Sequence, residues 1–201
     1  MFCGTIMSSH HIVRENQEPA LLIAKAHAIS FEKIQELLEW MPTVVVLSSE
    51  VEAVIAWGIK VDVVITPLAE MNLWRDKLVE QTPICFISYN PNDDPLQTAF
   101  YFLIASKAAA VNCLLGNKAD LKKIESFSNL DIEAFEDNKL WSWMKKAHFE
   151  KWLPAGATLF LLPEEMKSEF PEFISGGYHI VKDGIISLKS THPFWVGEEL
   201  S

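Results

Sequence analysis

The chain has 201 residues, 49% of them hydrophobic, which suits one large domain or two small ones with a substantial core. Its formal net charge is −10, from 17 Lys and Arg against 27 Asp and Glu. That balance argues against a nucleic-acid partner, which needs a basic face, and against an anionic membrane surface.

Three cysteines, Cys3, Cys85 and Cys113, stand far apart with no paired spacing, as expected in a reduced cytoplasmic compartment. Met1 to Met7 lacks the basic start of a secretory signal. The longest apolar stretch, Ala99 to Leu115, is interrupted by Lys107 and Asn112, so it reads as a helix followed by a strand rather than a membrane span.

In chain order, residues 19–24 form a short apolar strand. Ser30 is a candidate N-cap for a helix reaching Trp40, with Phe31, Ile34, Leu37 and Leu38 on one face. Met41-Pro42 stops it. The β-branched run 43–47 predicts a strand buried on both faces. A helix over about 50–57 ends at Gly58, a natural C′ residue. Strand 61–65 is broken by Pro67, and helix 68–80, strand 83–88, helix 92–107 and strand 111–115 follow. Buried strands interleaved with helices predict an α/β fold with a mostly parallel sheet covered on both faces.

After about residue 127 the pattern changes. Strands 130–135 and 139–144 flank the turn Glu136-Asp137-Asn138. Strand 158–162 follows Pro154-Ala155-Gly156. The pair 179–182 and 185–189 around Asp183-Gly184 predicts a hairpin, with positive φ at both turn positions. Residues 194–196 make a last strand. The expected division is therefore an α/β domain, 1–127, and a smaller antiparallel, β-sandwich-like domain, 128–201.

Ser48-Ser49-Glu50-Val51-Glu52, a helix, then Gly58-Ile59-Lys60-Val61-Asp62 and Thr66-Pro67-Leu68-Ala69-Glu70 lie in an ungapped register. This stretch resembles the thiamine pyrophosphokinase family, which reads Asp-Gly-Gly-Ala-Asn, a helix, then Gly-Ile-Lys-Pro-Asp-x-x-x-Gly-Asp-x-Asp-Ser. The resemblance covers nearly the whole chain. It implies an ATP- and magnesium-binding first part, a second part that helps form the thiamine site, and a homodimer. Gly58, Ile59, Lys60 and Asp62 match, while the acidic positions hold Ser48, Pro67 and Ala69. The family's next acidic loop resembles Asn90-Pro91-Asn92-Asp93-Asp94, and its Gly-Gly-Arg-x-Asp-His loop resembles Gly116-Asn117-Lys118-Ala119-Asp120-Leu121.

Magnesium wants carboxylate, phosphate and water oxygens in a near-octahedral shell, and Pro67 and Ala69 supply none. The first reading is therefore a family-like protein with lost or strongly altered Mg-ATP chemistry, retaining at most binding of thiamine or a nucleotide. A second is an active thiamine pyrophosphokinase with a rearranged metal, using Asp93, Asp94, Lys118 and Asp120. A third is a structural protein without a ligand. Binding candidates are Ser48, Glu50, Glu70, Asn90 and Asn92 at the cleft. Ser190, Thr191 and His192 lie where the family's thiamine-contacting segment would fall, beside Trp195. Trp141, Trp143, Trp152 and Trp195 predict core packing, an aromatic wall or a dimer interface. No metal site is expected from histidine spacing, His10-His11 included. No phosphate-loop, dinucleotide or nucleophile-elbow motif occurs.

Overall fold

A computed structural model describes residues 18–163, 173–174 and 177–200; Cys3 and His10-His11 lie outside them. The chain runs β1 (Ala20–Ile23), α1 (Phe31–Leu38), β2 (Val44–Leu47), a 3₁₀ turn (Ser48–Glu50) leading into α2 (Val51–Ala56), and β3 (Val63–Pro67). Another 3₁₀ turn (Leu68–Glu70) leads into α3 (Met71–Lys77), and a third (Val79–Gln81) precedes β4 (Cys85–Tyr89). Then come α4 (Pro95–Ala105), β5 (Ala110–Leu114), α5 (Ala119–Ile124), β6 (Asp131–Glu136) and β7 (Lys139–Met144). The rest is β8 (His148–Leu153), β9 (Thr158–Leu162), β10 (Phe173–Ile174), β11 (Gly177–His179), β12 (Gly184–Lys189) and β13 (Phe194–Glu199).

Eleven strands form one sheet in the order β10-β11-β9-β13-β7-β6-β5-β1-β2-β3-β4. From β4 to β6 every pairing is parallel; from β6 to β10 every pairing is antiparallel. This is the expected fold class. The backbone ladder is continuous across residues 127–128, because β6 pairs in parallel with β5.

The strand alternation sorts the core into layers. Leu21, Ile23, Val44, Val46 and Val64 pack with Ile34 of α1, Val51 and Val54 of α2, and Trp74 of α3. Leu22, Val45 and Ile65 point the other way, onto Leu96, Phe100 and Leu103 of α4 and Leu121 and Ile124 of α5. Ser30 caps α1, its side chain accepting from the Lys33 amide at 3.3 Å. Gly58 closes α2 with φ +73°, the left-handed conformation its position predicted.

Three elements have no counterpart in the sequence expectations, α5, β8 and β10; the strand expected at 179–182 is Gly177–His179 instead, and one hairpin is corrected. Asp183-Gly184 does not reverse the chain onto residues 179–182. Neither residue takes a positive φ, and β12 pairs instead with β8, Leu188 opposite Phe149. The Asp183 carboxylate accepts the Ala155 amide at 2.7 Å, and the Gly156 amide donates to the Ile180 carbonyl at 2.7 Å. The segment therefore braces the Pro154–Gly156 turn. Pairing with β8 buries Phe149, Leu153 and Leu188 against Leu159, Leu161, Tyr178, Phe194 and Val196, making the second layer of the β-rich half. Burial outweighs the local turn preference. The other expected turn holds, with Asp137 and Asn138 at φ 49° and 57° between β6 and β7.

Trp141 is 1% exposed and lies across Gly197 of β13. A Cβ on Gly197 would stand 2.9–3.0 Å from three indole carbons. Gly197→Ala should destabilise the fold by about 1–3 kcal/mol through overpacking. Urea melts with an unchanged slope would show it, and a wild-type midpoint would refute it.

Candidate functional site

The strand order reverses direction between β1 and β5: β2, β3 and β4 follow outward from β1, and the chain then returns through α4 to β5. In open α/β sheets a crevice forms outside the carboxyl ends of the strands at such a point. Here that edge carries the loops after β1, β2, β3, β4 and β5.

Glu50 comes from the loop after β2 and closes onto the loop after β1. Its carboxylate accepts the Ala26 amide at 2.9 Å and lies 3.5 Å from Lys25 Nζ, with the side chain 12% exposed. Ser48 beneath it is buried, as is Thr66 at the end of β3. Glu70, at the start of α3, accepts from the Trp74 indole N–H at 3.2 Å. Burial, and then the charge of Glu70, push the Tyr89 phenol above its ordinary range.

After β4 the chain makes a tight turn. The amide and side-chain amide of Asn90 donate to Asp93 at 3.0 and 3.1 Å, and Asn92 is exposed at its tip. Asp94 caps α4: its Oδ1 accepts from Leu96 and Gln97 at 2.8 and 3.2 Å, ahead of Pro95 in the first turn. After β5, Asp120 accepts from the Asn117 side-chain amide at 3.0 Å.

Lys123, not among the candidates named from the sequence, joins these loops. Its ammonium lies 2.9 Å from Asp120 Oδ1 and 3.1 Å from Asp94 Oδ2. Hydrogen bonds to Asp120 and then Asp94 hold the Lys123 ammonium above its ordinary pKa, against the effect of burial. Burial works to raise the Asp94 carboxyl, but bonds from Lys123 and the α4 amides outweigh it and leave it below the usual range. Lys118 reaches the other way, its Nζ 5.5 Å from the centre of the Trp141 ring.

Asp93, Asp94, Lys118, Asp120, Glu50, Glu70, Ser48, Asn90 and Asn92 thus share the carboxyl edge. Ser190, Thr191 and His192 do not. They precede Phe194, which pairs with Met144 at the end of β7, and β7 runs antiparallel to β6. Their loop therefore lies at the amino edge of the parallel strands. It is held by its own bonds, Thr191 Oγ1 to His192 Nδ1 at 2.8 Å and the His192 amide to Ser190 Oγ at 3.3 Å. Trp195 is wholly buried, its indole N–H donating to Glu125 at 3.2 Å and its ring 4.9 Å from that of Trp143, which leaves no surface for a ligand.

An open groove of about 520 Å³ lined by Phe31, Leu38, Trp57, Lys60 and Asp62 also sits at the amino edge, beside Val44, away from these loops. Among the described residues no group of three or more His, Cys, Asp and Glu side chains could hold a metal ion. No described helix is long and apolar enough to cross a membrane.

No protein-family model matches the chain, and no curated protein matches it in sequence. Solved structures match its fold. Thiamine pyrophosphokinase from Bacillus subtilis aligns with a TM-score of 0.61 and 8% identity, over 90% of this chain and 98% of that one. Thiamin pyrophosphokinase from Candida albicans aligns with a TM-score of 0.58 and 11% identity, over 92% and 90%. A probable thiamine pyrophosphokinase from Staphylococcus saprophyticus subsp. saprophyticus aligns with a TM-score of 0.57 and 10% identity, over 91% and 99%. At such identities the likeness is one of fold.

Proposed function

We propose that this chain is a thiamine pyrophosphokinase-like protein whose Mg-ATP chemistry is lost or strongly altered, and which retains at most binding of a small molecule, thiamine or a nucleotide, at the carboxyl edge. The shared fold supplies the frame. The observation that carries the reading is the state of the acidic groups at that edge. Glu50, Asp93, Asp94 and Asp120 are each engaged by protein donors, and Pro67 and Ala69 offer no side-chain oxygen. Magnesium keeps waters and takes one or two carboxylates with substrate phosphates. This donor set does not fit that demand.

The convergence of Asp94 and Asp120 favours the alternative, an active thiamine pyrophosphokinase with a rearranged metal. In that reading Lys123 must leave the pair, with Asp93 and Lys118 contributing beside it.

The division of labour we propose follows the two halves of the chain, 1–127 and 128–201, in a cytoplasmic homodimer. Ser190, Thr191 and His192 lie at the edge opposite Asp94 and Asp120, so a pocket uniting the two sets requires a second copy.

Thermal melts with thiamine, its phosphates and ATP, each with magnesium and with chelator, test the binding. At about a hundredfold excess over Kd, a ligand specific for the folded state adds about 2.7 kcal/mol. At least one of these ligands should raise the melting temperature, and chelator should leave that shift in place. A flat response to all of them would overturn the reading in favour of a structural protein. A shift that vanishes with chelator would favour the active enzyme.

A further inference from the structure

Asp94 and Asp120 come from different loops, after β4 and after β5, and meet at one cation. Each carboxylate divides its two oxygens in the same way. Asp94 spends Oδ1 on the Leu96 and Gln97 amides and Oδ2 on Lys123. Asp120 spends Oδ2 on the Asn117 side chain and Oδ1 on Lys123. No oxygen of the pair is left without a donor.

We propose that the Lys123 ammonium is a built-in counter-cation that stands between Asp94 and Asp120 in place of a divalent metal, so that removing its charge opens the pair to divalent cations. The inference rests on the reading that this edge has lost its metal chemistry, and it names the residue responsible.

The competition favours the lysine on simple grounds. Lys123 is three residues beyond Asp120 on α5, the spacing at which side chains on a helix meet. A tethered cation acts at an effective concentration of about millimolar or more, whatever the metal level in solution. It also satisfies the pair without a second metal ligand from Pro67 or Ala69. The side chains of Asp94, Asp120 and Lys123 are 28%, 14% and 44% exposed, so the pair is reachable once the ammonium is gone.

The arrangement has a structural consequence too. Asp94 begins α4 and Asp120 lies in the first turn of α5, so one ammonium ties the two helices that cover the same sheet face. A neutral side chain at 123 leaves two carboxylates facing each other, which raises their demand for another cation.

Manganese binding, measured by the loss of the free-ion electron paramagnetic resonance signal, tests this on the full chain. The wild type should take up no Mn²⁺ at Asp94 and Asp120 at about 1 mM metal. Lys123→Met and Lys123→Gln should each bind one Mn²⁺ with a Kd at least about tenfold below that concentration, where the wild type binds none. Adding Asp120→Asn to either should abolish the gain, and Lys123→Arg, which keeps the charge, should show none. Circular dichroism confirms that each variant is folded.

Two results would overturn the proposal. One is wild-type Mn²⁺ binding that disappears with Asp94→Asn, a measurement that needs no Lys123 variant. The other is a folded Lys123→Met or Lys123→Gln protein with no gain in binding. A flat thermal response to thiamine and ATP would defeat the function proposed above while leaving the manganese result to stand by itself.

Discussion

Protein supplied with thiamine, ATP and magnesium should form thiamine diphosphate at least about 10²–10³-fold more slowly than an enzyme with an ordinary turnover of roughly 1–10³ per second. Transfer of a phosphoryl-type group depends on positioning and on neutralising charge that shifts in the transition state. In the proposed reading, Ser48, Pro67, Ala69, Asn90 and Asn92 take positions where the resemblance implies carboxylates. Ser48 is buried, and the Asn90 side chain is spent on Asp93. Asp94 and Asp120 are occupied by Lys123. Losing one well-placed electrostatic contact costs about 10²–10³ in rate, and coupled losses do not simply multiply. Chromatographic measurement of the product gives the rate. Steady turnover in the ordinary range, abolished by Asp120→Ala, would establish the rearranged-metal enzyme instead.

The largest stability effect is expected at Trp195. It has no exposed surface, and it joins β13 to α5 through Glu125. Trp195→Ala should cost about 3–5 kcal/mol, the usual range for deleting a buried aromatic ring. In a chain of this length that lowers the melting temperature by roughly ten degrees or more. Trp141 offers a control. It is as deeply buried, yet its indole N–H has no hydrogen-bond partner among the described residues. An unsatisfied buried donor costs about 1–3 kcal/mol. Trp141→Phe removes that penalty while opening space, whereas Trp195→Phe opens space and also deprives Glu125 of its donor. Trp195→Phe should therefore be the more destabilising of the two in paired urea melts. Equal midpoints would contradict this account of the two indoles.

The parallel half was readable because its central strands, β1, β2 and β3, are buried on both faces. Val44–Leu47 and Val63–Ile65 are unbroken apolar runs, and the Gly58 stop behaves as its lack of a Cβ suggests. The misses have local causes. α5 presents only Leu121 and Ile124 to the core, too few positions to define a helical period. β8 hides because the row holding its buried residues reads Phe149, Lys151, Leu153. The middle position is a lysine whose ammonium reaches Glu198 of β13 at 2.7–2.8 Å. A charged and exposed side chain between the two buried positions erases the alternation that announces a strand. The failure at α5 had a further cost: without the helix, Lys123 could not be placed three residues from Asp120 on one face. The carboxylates at the edge came from the family resemblance. Which cation they hold depends on a tertiary contact between Asp94 and Lys123, and no spacing in the sequence encodes it.

The ladder that runs unbroken from β4 to β10 constrains how a ligand can be enclosed. Many two-part proteins swing one lobe over the other about a flexible connector. Here β5 and β6 are joined by backbone bonds along five paired residues, so such a swing would tear the sheet at its centre. Among the described residues, shielding of a molecule from water at the carboxyl edge falls to the short loops themselves, with the sheet acting as a fixed anvil beneath.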